Sequence, residues 1–275
     1  LYTAPDCIRC RVVKNFLADR NLAYETIDFQ AQKDEFNAFY RKNRPSIYRN
    51  PEGVEFPLFS DGETVKQGSG EIIAYLLSGK TMEQCVTRSD LLHGWISGLY
   101  PSRCPAGQEG NFLVLVRYLA EGGLKVCIRS DGRNPALLKS LLESGHVGKV
   151  SLDVPGPAAV YSASEGGPLS MEALAESIAL VGGFKNGEIR ILVSPIPRED
   201  GTFSWTCKEE AAQAAAMLAE ASGNRQLPVV IAVAADDVHG GLHGLEAFDR
   251  SRLLPFRSAC REHLFKVDVA RVADF

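Results

Sequence analysis

The feature that most constrains this chain is Cys7-Ile8-Arg9-Cys10, two cysteines three positions apart. They sit between Leu1-Tyr2-Thr3 and the helix-like run Arg11-Val12-Val13-Lys14-Asn15-Phe16-Leu17. A short strand, a tight turn and then a helix put Cys7 in the first turn, where unpaired backbone N–H groups and the positive end of the dipole favour a thiolate over a thiol. Cys7 is therefore the candidate nucleophile. Cys10, one turn further on and on the same face, can attack a mixed disulfide held on Cys7 and release the partner reduced, which makes it the resolving thiol. A zinc half-site or a structural disulfide would use the same residue type, but each needs more context. No second CxxC occurs, and Cys85, Cys104, Cys127, Cys207 and Cys260 are scattered singly, whereas a closed zinc site usually takes two close pairs.

With 275 residues, 45% of them apolar, the chain can bury one large core or two smaller ones, and two is the better prior. The net charge of −4 is mild and the 30 basic residues are dispersed, which argues against a nucleic-acid or anionic-membrane partner. An odd number of cysteines, mostly isolated, fits a reducing compartment better than a secreted disulfide framework. No apolar run approaches a membrane span. The chain starts at Leu1 rather than Met, so we expect residues upstream and leave a removed targeting segment open. Cytoplasm is the default expectation.

Alternation predicts a strand at Tyr24-Glu25-Thr26-Ile27-Asp28-Phe29, followed by a charged helix over 33–42. Glu55 to Phe59 and Thr64 to Lys66, joined by Ser60-Asp61-Gly62-Glu63, read as a hairpin, and Gly68-Ser69-Gly70 opens a helix ending near Leu77. The order β, α, β, α, β, β, α over residues 1–80 is that of a thioredoxin-like domain. Tyr2-Thr3, the CxxC, Phe56-Pro57, Asp61-Gly62 and Gly68-Ser69 fall in the order seen in glutaredoxins, which this segment resembles. The resemblance implies that Pro57 is a cis-proline beside the thiols and that the backbone of Phe56 pairs with a substrate. It also implies that Gly68, Ser69 and Gly70 face the carboxylate of a glutathionyl group at a helix start. The sequence departs from the family at Ala4, where glutaredoxins often carry lysine, and at Gly70, where they often carry aspartate. The loop 43–54 is long and carries Arg44 and Arg49. Dithiol exchange is thus better supported than glutathione use.

Residues 81–93 read as a polar linker or short connecting helix. From 94 to 275 strands alternate with helices: helices at 112–120, 135–142, 171–181, 208–221 and 258–263, and strands at 124–128, 149–152, 189–193, 228–234 and 264–269. Continuous apolar strands between helices predict a parallel sheet, open or part of a (β/α) barrel. The stretch from Gly123 to Pro135, Val150-Ser151-Leu152-Asp153-Val154, Tyr161 and Arg190-Ile191-Leu192-Val193 resemble the later half of radical-SAM activators of anaerobic ribonucleotide reductase, over roughly residues 94–235. Those activators are partial (β/α) barrels holding an iron–sulfur cluster and S-adenosylmethionine. Their cluster needs three cysteines spaced CxxxCxxC, which this chain lacks, so neither cluster nor S-adenosylmethionine is expected. Ligands in such sheets sit where strands run into helices, which makes Asp131, Arg133, Asp153, Ser194, Arg198, Asp236, Asp237 and His239 a candidate rim.

The leading expectation is a glutaredoxin-like thiol-disulfide oxidoreductase whose client is a protein disulfide or a glutathionylated protein. A docking protein whose cluster-less barrel recruits a partner is a second reading, and a glutathione-linked iron–sulfur carrier built on Cys7 a third.

Overall fold

The computed structural model describes every residue except 52, 88–90, 93–94, 164–166, 199, 235–242 and 271–275. It divides into two compact units, one comprising 1–100, 104–127 and 144–148, the other 101–103, 128–143 and 149–275.

In the first unit β1 (Tyr2–Thr3), α1 (Ile8–Asp19), β2 (Ile27–Asp28), α2 (Lys33–Asn43), β3 (Arg49–Asn50), β4 (Gly53–Val54), β5 (Leu58–Ser60), β6 (Val65–Gln67) and α3 (Ser69–Ser78) follow in order. The central sheet runs β2-β1-β5-β6, with β1 parallel to β2 and antiparallel to β5, and β5 antiparallel to β6. This is the thioredoxin-like arrangement that the segment order predicts. Strand β2 is shorter than the alternation of residues 24–29 suggests, and Tyr24 is exposed. The long segment before Pro57 is not a plain loop: Arg49 pairs with Val54 and Asn50 with Gly53 in a small hairpin. Asn50 Oδ1 accepts from Gly53 N at 2.9 Å, and Gly53 has φ 140°, which favours glycine at that turn.

The apolar face of α1 buries Val12, Val13, Phe16 and Leu17. A second cluster joins Cys10, Phe36, Ile47, Phe56 and Leu58, with the Phe56 ring 4.8 Å from Phe29 and 5.5 Å from Phe36 between centroids. Helix α4 (Glu109–Glu121) belongs to the same unit; Phe16 and Tyr118 meet edge to face at 5.0 Å, and Tyr118 Oη donates to Asp19 at 3.2 Å. Residues 82–87, read as a polar connection, bury Met82, Cys85, Val86 and Thr87 instead.

The later part of the chain contains β7 (Leu91–Leu92), β8 (Trp95–Leu99), β9 (Lys125–Ser130), α5 (Pro135–Glu143), β10 (Lys149–Val154), α6 (Ala158–Ala163), α7 (Met171–Gly183), β11 (Gly187–Val193), β12 (Pro195–Pro197), β13 (Phe203–Trp205), α8 (Lys208–Ser222), β14 (Pro228–Val233), α9 (Leu253–Cys260) and β15 (Lys266–Val269). Six parallel strands form its sheet, as in a partial (β/α) barrel. Within the second unit the order is β15-β14-β11-β10, with Leu152 beside Ile189, Ile191 beside Ile231 and Val229 beside Val267. These strands are almost continuously buried, as a sheet covered on both faces requires.

Two expectations need correction here. The last helix lies at Leu253–Cys260, not 258–263, because Pro255 falls in the first helical turn, where its missing N–H breaks no intrahelical bond. The strand Trp95–Leu99 was not expected, since Ser97 and Gly98 interrupt its apolar run, yet Ile96 and Leu99 are fully buried.

Candidate functional site

Cys7 is the N-cap of α1, with extended φ −80° and ψ 104°, and its Sγ accepts from Cys10 N at 3.1 Å. No acidic residue occupies the first turn of that helix to oppose a thiolate there. Cys7 and Cys10 are joined as a disulfide, with S–S 2.21 Å and Cα–Cα 5.3 Å. The two sulfurs differ in access: Cys7 is half-buried, whereas Cys10 is 2% exposed within the Phe36–Phe56–Leu58 cluster. An attacking thiol reaches Cys7 and not Cys10.

The Phe56–Pro57 peptide is cis, as the glutaredoxin resemblance implies. Its backbone is tied on both sides. The buried Phe56 ring anchors one side, and Pro57 O accepts from Gly68 N at 2.9 Å on the other, coupling the proline to the start of α3. Gln67, 4% exposed, holds the preceding segment: its Nε2 donates to Tyr48 O at 3.0 Å and to Glu55 O at 2.9 Å, while its Oε1 accepts from Tyr48 N at 2.8 Å. Between the cysteines, Arg9 forms a half-buried ion pair with Glu55 at 3.6 Å. Sequence reasoning missed both contacts, since neither partner carries a motif.

Gly68 caps α3 with φ 88°, a conformation that glycine adopts without penalty. Ser69 and Gly70 follow, both buried, and Ser69 Oγ has no hydrogen-bond partner. A fully buried hydroxyl without a partner is costly and uncommon. Beside the first N–H groups of a helix it is a donor set suited to a carboxylate.

The proposed rim of the second unit is different. Asp153 lies within β10, not in a loop, and takes Arg190 Nε at 2.7 Å, Arg190 Nη2 at 2.9 Å and Arg129 Nε at 2.8 Å. Burial alone would push this carboxyl up, but the two guanidinium groups hold it well below the ordinary carboxylate range. Asp131 accepts from Arg133 N at 3.1 Å and pairs with Arg133 Nη1 at 3.0 Å, and Tyr161 Oη donates to the Asp131 carbonyl at 2.7 Å. Burial, then the nearby Asp131, push the Tyr161 phenol well above its usual value. Arg198 is held by Glu210 and Ser204, and Ser194 N donates to Thr206 Oγ1 at 3.1 Å. These residues are committed to one another. Asp236, Asp237 and His239 lie outside the described residues. Among the described residues no group of three metal-ligating side chains occurs, and no helix is long and apolar enough to cross a membrane.

Residues 1–80 match the family described as glutathione S-transferase, N-terminal domain. The match spans the stretch that folds as the thioredoxin-like domain. No curated protein matches the chain.

Proposed function

We propose that the chain is a glutaredoxin-like thiol-disulfide oxidoreductase working through Cys7 and Cys10. One observation carries this reading: a half-buried sulfur at a helix N-cap, bonded to a buried second cysteine one turn on, in a domain that carries a cis-proline just before β5. In the reduced enzyme the Cys7 thiolate attacks a client disulfide; the new Cys7–client bond forms as the client's S–S bond breaks, and the departing sulfur takes a proton. Cys10 then attacks Cys7 Sγ and expels the second client sulfur as a thiol. The client gains two electrons and two protons, and an external thiol restores the dithiol. The Phe56 backbone pairs with the extended client strand, and Pro57 keeps that strand against Cys7.

A glutathionyl group fits the Gly68-Ser69-Gly70 turn, where the orphaned Ser69 hydroxyl and the first N–H groups of α3 would hold its carboxylate. The preferred client is then a glutathionylated protein in the cytoplasm, and the later part is a relative of the radical-SAM activators that has kept the barrel and lost the cluster. The test is reduction of a glutathionylated peptide coupled to glutathione. Activity that disappears in Cys7→Ser, together with a client trapped on Cys7 in Cys10→Ser, supports the reading. Unchanged turnover in Cys7→Ser ends it.

A further inference from the structure

In a chain whose net charge is −4, the two stretches that pack around the thiols are basic. From Cys7 to Ala18 the sequence holds Arg9, Arg11 and Lys14 and no acidic residue; from Phe36 to Pro51 it holds Arg41, Lys42, Arg44 and Arg49 and again none. The fold brings the stretches together, because Cys7, Tyr40 and Ile47 all join the cluster around Cys10 and Phe56. Arg11 lies one turn beyond Cys7, with its backbone N–H donating to Cys7 O at 3.1 Å, and is exposed. Arg44 opens the single turn Arg44–Ser46 and Arg49 opens β3; both are exposed, and between them Tyr48 is 44% exposed.

Some of these charges already have a use. Arg9 pairs with Glu55, and Arg41 and Lys42 lie in the last turn of α2, where they answer the negative end of that helix; Arg41 Nε also donates to Asn37 O at 3.2 Å. Arg11, Arg44 and Arg49 are different: among the described residues none of the three forms an ion pair. The acidic groups nearest in sequence to the thiol site are Glu55, held by Arg9 and Asn50, and Asp6, exposed just before Cys7. Arginine and tyrosine are the residue types that carry binding energy at protein interfaces. A guanidinium also matches a carboxylate with two parallel N–H bonds.

We propose that this face docks an acidic, extended segment of the client protein, with Arg11, Arg44 and Arg49 as the specificity-determining residues. The proposal rests on Cys7 being the attacking thiol, and it states what the client carries around its reactive cysteine: aspartate or glutamate rather than lysine or arginine. Each exposed ion pair contributes little alone. Discrimination comes from the summed field, which speeds encounter with an acidic segment and slows it with a basic one. Salt screens that field, so the preference must fade as ionic strength rises.

The experiment uses the full chain and three glutathionylated peptides that differ only in the residues flanking the cysteine, which are glutamate, glutamine or lysine. At low salt kcat/KM should fall in that order, with about a tenfold gap between glutamate and glutamine, and the gap should close at about 1 M salt, where charges are screened within ~3 Å. In Arg44→Glu/Arg49→Glu the order should reverse while the glutamine peptide is turned over as before. A second measurement leaves out the thiol chemistry: a fluorescent glutamate-flanked peptide without cysteine should bind the unsubstituted chain by anisotropy and lose that binding in the reversal variant. Equal rates for the glutamate and lysine peptides at low salt, or undiminished peptide binding by the reversal variant, overturn the proposal and leave Cys7 in its role. Peptide binding by a chain that reduces none of the three keeps the docking face and removes the thiol reading instead. Tighter binding of a single-stranded oligonucleotide of equal charge assigns the face to phosphate and overturns the proposal.

Discussion

The turn at Gly68-Ser69-Gly70 and the rim around Asp153 both put polar residues at the end of a strand, and they have opposite fates. Asp153 is surrounded: two arginines on β9 and β11 occupy its oxygens, and Arg190 also reaches Ser151 at 3.0 Å. Ser69 is buried just as fully and its hydroxyl has nothing to bond. Topology alone makes both places eligible to bind a ligand. What distinguishes them is whether the polar groups are already used. A saturated cluster holds strands in register, while an unsatisfied one leaves interaction energy for something that arrives from outside.

The strongest challenge to that distinction is at the thiols. Cys7→Ser should reduce disulfide reductase turnover to the uncatalysed background while every contact around Asp153 persists, as read by a coupled assay and by near-ultraviolet circular dichroism. Next comes Asp153→Asn, which leaves Arg190 buried without its full counter-charge; such losses cost about 3–5 kcal/mol. Denaturant unfolding should show that loss, and initial rates at low temperature should show thiol chemistry unchanged. Unchanged stability would mean that the ion cluster holds nothing together.

The same carboxylate sets a pH dependence. Its value is lowered in the fold, so its contribution is complete above the ordinary aspartate value of about 4 and declines as the pH falls below that toward the depressed folded value. Asp153→Asn should remove this acid-side decline from the stability profile.

A smaller effect sharpens the contrast. Ser69→Ala removes a buried hydroxyl that bonds nothing, so thermal stability should hold or rise by about 1 kcal/mol. The rate with a glutathionylated substrate should nevertheless fall about tenfold, the equivalent of one hydrogen bond to a charged group. A rate that stays level would return Ser69 to the bulk of the core. The smallest change is expected at Glu210→Gln, which weakens the Arg198 contact and the bond from Cys207 N at 2.7 Å at the start of α8. About 1 kcal/mol of stability and no activity should be lost.

Much of the first unit was legible because its signals are local. The CxxC turn, the Phe56-Pro57 step and the Gly68-Ser69 helix start each depend on residues within a few positions of one another. The alternation of strands with helices was equally visible beyond residue 123, since short β-branched apolar runs such as Val229 to Val233 are what a buried parallel strand requires. What stayed hidden depends on partners distant in sequence. Asp153 at a strand end suggested a ligand because nothing local revealed Arg129 and Arg190 on the neighbouring strands. The hairpin at Arg49–Val54 was missed because two-residue strands are too short to show a period.

The three bonds from Gln67 have a consequence for variation. They fasten Tyr48 at one foot of that hairpin and Glu55 at the other, and from within the hairpin Asn50 Nδ2 donates to Glu55 Oε1 at 3.0 Å. A change confined to the hairpin's tip therefore leaves the two points that Gln67 grips where they are, and the backbone leading into Pro57 keeps its course.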